Sequence, residues 1–295
     1  MVRYQYQIFV PGGNKTALVF GIDGLESDTA LRKTIQDKIL AKHEHDADGE
    51  VEQVGFVSLD KSAPELLMTG GEFCGNATRS AAAYYFQESR SGDAAIKVSG
   101  TQKPVKAGLS SNGHSSKGTQ LAAWAEMPLI EDLSSAIIPL KDGLHWVSIE
   151  GISHLVIPQE QSAPFLAKIL SCDNKAAQIN VAIELLKRTI KENFLPVGKA
   201  YGIMFLENVT DTLKMHPFVH VVSADTTYYE TACGSGAICV GLASCFLSGK
   251  SVNLPLLQPS GKIIRAEVEC SDSGTITKGR ISGEIQIGEV NEVRE

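Results

Sequence analysis

A short pattern occurs twice in the chain, about one domain length apart. Residues 71–83 read GEFCGNATRSAAA, and residues 230–243 read ETACGSGAICVGLA. Each copy has an acidic residue, a Cys-Gly pair, a small polar residue and then small, mostly apolar residues without a proline. Because such a run predicts a buried helix, each Cys-Gly pair is expected at a helix start. The repetition of chemistry and predicted structure at this spacing indicates two similar domains.

The rest of the chain is typical of an α/β (α+β) protein with mixed sheets. Many short strands are predicted between glycine-rich and turn segments, with only a few helices among them. The predicted helices cover residues 29–42, 77–88, 176–191 and 234–247. A length of 295 residues suits two domains of ordinary size, or one large domain.

Composition limits the function classes. The chain has 27 basic and 34 acidic residues, a net charge of -7, and such a surface repels phosphate backbones, so no nucleic-acid partner is expected. No apolar run reaches the roughly 18–20 residues that cross a bilayer. The first seven residues lack the apolar centre of a signal peptide. We therefore expect a cytoplasmic protein without a membrane partner.

The cysteines are too sparse for a disulfide scaffold, and a reducing compartment would keep them as thiols. They lie at positions 74, 172, 233, 239, 245 and 270, and none forms a C-x-x-C pair. Cys239 and Cys245 lie in an apolar stretch and are predicted to be small core residues. No metal site is predicted. A reactive thiol, if the chain has one, must therefore be identified from the residues around it in the sequence.

Cys74 and Cys233 stand out in this way, because each is predicted at a helix start. Unsatisfied N–H groups at a helix start favour a thiolate and lower the pKa of a thiol, which makes it a competent base near neutral pH. The next residues, Gly75 and Gly234, let a ligand approach the backbone N–H groups, which form an anion site.

The small polar residues of the two motifs, Asn76 and Ser235, are predicted to cap the two helix starts. If the helix starts face one another, one carboxylate can lie between them with a thiol on each side of its α-carbon. This arrangement suits racemisation or epimerisation without a cofactor. Either cysteine alone is typical of a buried structural thiol, but the matched pair favours chemistry.

The two motifs resemble those of the diaminopimelate epimerase superfamily. Phe73–Ala77 is similar to its first catalytic segment and Ala232–Gly236 to its second. The resemblance implies two pseudo-symmetric domains, each a mixed β-sheet wrapped around a central helix, with the active site in the interdomain cleft. It places an N-terminal domain at 1–128, joined by the last strand at about 282–295, and a C-terminal domain at 129–281. It also implies that the two cysteines are the catalytic bases.

Within the superfamily, the chain most resembles the cofactor-independent histidine racemases of opine metallophore (staphylopine-type) biosynthesis. Glu52–Phe56, His154–Pro158 and Gln258–Gly261 are similar to segments of that group. Diaminopimelate epimerases carry a Glu-Arg pair for the distal end of their substrate. Here residues 224–229 read ADTTYY, without arginine, so the resemblance favours a different substrate.

Other residues have a structural and a functional interpretation. Asn14 fits a left-handed turn or contacts the substrate; Glu52 is a solvated edge residue or accepts from a substrate amine or imidazole. His154 is a core histidine or sets the protonation of a thiol. Glu230 caps its helix or influences Cys233. Arg79 forms a surface salt bridge or has a functional role.

The leading hypothesis is a racemase that interconverts L- and D-histidine with Cys74 and Cys233 as its two bases. Diaminopimelate epimerase (LL to meso) is the alternative. An isomerase of the phenazine-biosynthesis type and a binding protein without turnover are less favoured, since neither needs the cysteine pair. We expect no cofactor, no metal, an amino-acid substrate as the partner, and a homodimer as a possible assembly.

Overall fold

The structure, a computed structural model, describes residues 3–21, 28–47, 49–110, 120–130, 133–222, 225–271 and 275–294. The chain divides into two compact units, Met1–Glu126 with Ser282–Glu295, and Met127–Ile281. The sequence placed a domain boundary at 128/129. That each unit is an epimerase-like domain remains a prediction.

In its described residues, the first unit contains a mixed sheet and two helices. Its strands are β1 (Arg3–Pro11), β2 (Lys15–Phe20), β3 (Val51–Val57), β4 (Glu65–Met68), β5 (Gly92–Val98), β6 (Val105–Leu109), β7 (Gln120–Glu126) and the part of β16 (Ile276–Arg294) that starts at Ser282. Its helices are α1 (Thr29–Lys42) and α2 (Gly75–Phe86). The strands follow in chain order from β1 to β7, and β1 also pairs with β16. The β2–β3 and β4–β5 pairs are parallel, and the others are antiparallel.

Helix α2 is buried in an apolar cluster of this unit. Its alanines Ala77, Ala81, Ala82 and Ala83 are fully buried. The helix packs against β1, β2, β4, β5, β6 and β7. Alanine combines high helix propensity with a small side chain, so the helix can lie close to the surrounding strands.

The second unit also contains a mixed sheet. Its strands are β8 (Ile137–Pro139), β9 (His145–Ile149), β10 (Ile152–Ile157), β11 (Ala200–Val209), β12 (Thr212–Val221), β13 (Thr226–Tyr229), β14 (Val252–Leu257) and β15 (Ile263–Cys270). Its helices are α3 (Leu133–Ala136), α4 (Gln159–Leu170), α5 (Lys175–Asn193) and α6 (Gly234–Ser248), with a short 3-10 helix at Lys141–Gly143. The strand order is β8-β9-β10-β11-β12-β14-β15, with β13 beside β12. The β10–β11 and β12–β14 pairs are parallel.

Helix α6 is buried in this unit as α2 is in the first. It packs against β8, β9, β10, β11, β14 and β15. Cys239 and Cys245 are buried on it, which confirms that they are core residues. Helices α4 and α5 pack against each other and contribute to another apolar cluster, which includes Leu166, Leu186 and Phe205.

The mixed α+β class is confirmed. The sequence missed α4, which begins directly after Pro158 and contains Pro164, because proline is a strong helix breaker in pattern analysis. The last strand, β16, runs without a break from Ile276 to Arg294. No helix among the described residues is both long and apolar enough to span a membrane.

Candidate active site

The two cysteines occupy equivalent positions at the starts of α2 and α6. Cys74 is the N-cap of α2, with extended backbone angles of φ -137 and ψ 113, and its Sγ accepts from the Ala77 N–H at 3.4 Å. Cys233 is the N-cap of α6, with φ -124 and ψ 108, and its Sγ accepts from the Gly236 N–H at 3.2 Å. Each sulfur therefore lies in the field of its helix terminus.

The predicted capping roles of Asn76 and Ser235 are wrong, because the thiols themselves occupy the N-cap positions. Asn76 and Ser235 are the second residues of their helices, after Gly75 and Gly234. Their side chains bond elsewhere. Asn76 Oδ1 accepts from Arg79 at 3.0 Å, and Ser235 Oγ is 2.9 Å from a ring nitrogen of His154.

A network of side chains joins Cys74 to strands β2 and β3. The thiol donates to Gln53 Oε1 at 3.2 Å, and Gln53 Nε2 donates to Asn14 Oδ1 and Thr16 Oγ1, both at 2.8 Å. Asn14 Nδ2 in turn donates to Glu52 Oε2 at 2.6 Å. Three residues singled out from the sequence, Asn14, Glu52 and Cys74, are thus brought together in the first unit.

The linking residue of this network, Gln53, was missed by sequence reasoning. Gln53 follows Glu52 on β3. The local sequence does not show which residue of this strand contacts the Cys74 thiol. Asn14 is buried and does not take the left-handed conformation, which was one of its two interpretations; Gly12 and Gly13 take positive φ angles of 72° and 104° instead. Glu52 is exposed, so its carboxylate is accessible to a ligand.

Arg79 does not lie on the surface, and the surface salt bridge considered from the sequence is wrong. The residue is 0% exposed. Burial lowers the pKa of its guanidinium to about 10, although an electrostatic interaction with Cys74 opposes this change. A charged side chain is therefore buried in the same helix start as the first thiol.

The second thiol lies beside a serine that bonds to a buried histidine. Cys233 is 2% exposed, and its Sγ is 3.4 Å from Ser235 Oγ. Ser235 Oγ is 2.9 Å from His154 Nε2. Burial lowers the pKa of His154 to about 3, so the ring is neutral at physiological pH. A side chain at residue 202 would collide with this ring, since a Cβ on Gly202 would lie 2.6 Å from Nδ1.

The expected lowering of the thiol pKa is wrong for Cys233. Burial raises its pKa well above the usual range, and the charge and hydrogen bond of Glu230 raise it further. Ser235 and the Gly236 N–H act in the opposite direction but do not prevail. The structure therefore assigns Glu230 an influence on the thiol, one of the two roles that the sequence left open.

Gln258 is a second residue whose role became visible only in the structure. It is fully buried, and its Oε1 accepts from the Cys233 N–H at 3.0 Å.

Within the described ranges, no three His, Cys, Asp or Glu side chains are grouped so as to hold a metal ion.

Comparison with known proteins supports the resemblance of the chain to histidine racemases. Residues 5–291 match the family described as the histidine racemase CntK N-terminal domain. The chain belongs to this family. A curated histidine racemase of Fusobacterium nucleatum subsp. nucleatum is 29% identical over 241 residues, which cover 78% of this chain and 77% of that protein. The predictions of an isomerase and of an amino-acid racemase are confirmed.

Solved structures show the same fold at low sequence identity. The Bacillus anthracis phenazine biosynthesis protein of the PhzF family has a TM-score of 0.63 and 14% identity, with 100% of both chains covered. A hydroxyproline epimerase from Agrobacterium vitis has a TM-score of 0.57 and 11% identity, with 99% of this chain and 92% of that chain covered.

Proposed function

We propose that this racemase interconverts L- and D-histidine by a two-base mechanism, with Cys74 and Cys233 acting on opposite faces of the α-carbon. The observation that carries the proposal is that both cysteines are the N-caps of buried helices, with nearly the same backbone angles and the same thiol–amide contact. The proposal includes the finer fold inferred from the sequence, with two pseudo-symmetric domains and the active site in the cleft between them.

In the proposed reaction, one cysteine is a thiolate and the other a thiol. The thiolate takes the α-proton, the Cα–H bond breaks, and its electron pair is delocalised into the carboxylate. The thiol then gives its proton to the opposite face, so the two cysteines exchange protonation states. First-turn N–H groups, beginning at Gly75 and Gly234, stabilise the negative charge of the carboxylate in the transition state.

The substrate assignment depends on the residues around the first thiol. Glu52 presents an exposed carboxylate that is oriented by Asn14, and it can accept from the amine or imidazole of histidine. Diaminopimelate has a distal zwitterion, and residues 224–229 offer no arginine for its carboxylate. Each missing charge-assisted hydrogen bond is worth roughly 1.5–3 kcal/mol. The named activity of the curated relatives supports histidine as well.

The proposal needs no cofactor, because the thiol pair supplies both the acid and the base. We expect exhaustive chelation to leave the rate unchanged and the active protein to show no Schiff-base absorbance. The amino acid is the only partner that the mechanism requires. We further propose that the reaction takes place in the cytoplasm and supplies an opine metallophore pathway, as the resemblance to the staphylopine-type group implies.

Chiral chromatography with one enzyme preparation tests the substrate. L-Histidine should give D-histidine, and D-histidine the L-isomer, while LL-diaminopimelate is turned over slowly or not at all. A site built to bond a polar side chain discriminates strongly against substrates that leave its groups unpaired. Fast diaminopimelate epimerisation with inert histidine would overturn the assignment and establish the alternative.

A further inference from the structure

The guanidinium of Arg79 is buried without a carboxylate partner in the described part of the chain. Nη2 donates to Asn76 Oδ1 at 3.0 Å. Nε and Nη1 are buried, and neither has a hydrogen-bond partner among the described residues. A buried cation is costly unless an anion compensates it. The helix start therefore contains a positive charge that a nearby negative charge would stabilise.

Cys74 is the one titratable group found to interact electrostatically with Arg79 among the described residues. The charged groups on neighbouring segments are otherwise engaged or exposed. Glu52 on β3 is exposed and bonded to Asn14, Glu72 before the helix is exposed, and Lys15 on β2 pairs with Asp46 at 3.5 Å. A thiolate at Cys74 is thus the anion best placed to compensate the guanidinium.

One contact opposes the thiolate. The Cys74 thiol donates to Gln53 Oε1 at 3.2 Å, and this bond requires the proton. However, S–H is a weak donor, whereas a cation close to a thiol favours the thiolate strongly. The Ala77 N–H, 3.4 Å from Sγ, also stabilises negative charge on the sulfur, as Arg79 does. Arg79 and the Ala77 N–H therefore both oppose the effect of the Gln53 bond.

We propose that Arg79 is a positioning residue that keeps Cys74 as the thiolate in the resting enzyme, so that Cys74 starts the cycle as the base and Cys233 as the acid. The inference rests on the proposed two-base function and adds which thiol carries the proton at rest. The surroundings of Cys233 agree, because Glu230 disfavours a second negative charge beside it. When the α-proton passes to Cys74, the guanidinium loses its anion, and the reverse half-cycle restores it.

The test is the pH dependence of thiol alkylation by iodoacetamide, followed for each cysteine by peptide mass spectrometry. Cys74 is partly exposed and reacts as the thiolate. We expect Arg79→Gln to raise the pH of half-maximal Cys74 reactivity by about one unit or more, and Arg79→Lys to restore most of the wild-type value. Arg32→Gln, which removes another buried arginine of the same unit, should leave it unchanged.

Two results would overturn the inference. One is a Cys74 profile that is the same in wild type and folded Arg79→Gln. The other, which needs no variant, is a wild-type enzyme in which Cys233 titrates at lower pH than Cys74. If Arg79→Gln fails to fold by circular dichroism, the wild-type order of the two thiols and the Arg79→Lys profile decide. Alkylation is measured without turnover. A failure of the proposed histidine racemisation would therefore be seen by chiral chromatography, independently of the alkylation result.

Discussion

The starts of α2 and α6 share their backbone geometry but differ in the charges around their thiols. Cys74 is partly exposed and lies in the same helix start as the buried cation of Arg79. Cys233 is buried, and the carboxylate of Glu230 disfavours its ionisation. A repeated motif can therefore place two identical thiols at equivalent positions, while residues that differ between its two copies, Arg79 and Glu230, surround them with opposite charges. A two-base racemase needs this difference, because one thiol must be ionised when the other carries a proton.

The largest effect is expected from removing either thiol. Cys74→Ala and Cys233→Ala should each lower histidine racemisation by about 10²–10⁴-fold, the usual contribution of a general acid or base. Chiral chromatography measures the loss. Cys172→Ala, which removes a thiol outside both helix starts, is the matched control and should keep wild-type activity. Wild-type rates in either active-site variant would contradict the equivalence of the two positions.

A smaller loss of activity is expected from a change in the side-chain network around Cys74, which has no counterpart described around Cys233. Glu52→Ala removes the exposed carboxylate bonded to Asn14 and should lower kcat/KM for histidine by roughly 10–100-fold, the loss of one charge-assisted hydrogen bond. The thermal unfolding midpoint of this variant should change little, because the Glu52 side chain is exposed. An equal loss of activity and stability would assign Glu52 a structural role instead.

The charge beside the second thiol should affect the alkaline limb of the pH profile. Cys233 must be protonated to act as the acid, and Glu230 raises its pKa, in addition to the larger effect of burial. Glu230→Gln removes a negative charge and so lowers this pKa. We expect the loss of activity at high pH to begin about one pH unit lower, equivalent to ~1.4 kcal/mol. The acid limb, which reports Cys74 in this account, should stay in place.

This assignment fails if Glu230→Gln moves the acid limb instead, or leaves both limbs unchanged. Glu230→Asp keeps the charge and serves as the control, with a profile close to that of the wild type. Ser235 contacts the same thiol and bonds to the neutral ring of His154, and both residues are retained in these variants.

The sequence predicted those features that depend on local pattern. The runs of small residues after Cys74 and Cys233 predict α2 and α6, because helix propensity and the absence of breakers are local properties. The burial of Arg79 and the bond from Cys74 to Gln53 depend on strands that are distant in sequence, so no local pattern reveals them. For the same reason, the high pKa of Cys233 was not predicted: it follows from desolvation, which only tertiary packing determines.

The most direct test of the two-base account is the fate of the α-proton in deuterated water. L-Histidine is incubated with the wild-type enzyme, and both isomers are separated and analysed by mass spectrometry at low conversion. If one thiol removes the proton and the other supplies a solvent-derived one, the D-histidine formed carries deuterium at Cα while the remaining L-histidine stays unlabelled. Deuterium entering recovered L-histidine as fast as D-histidine forms, or D-histidine that retains the original proton, would contradict the account.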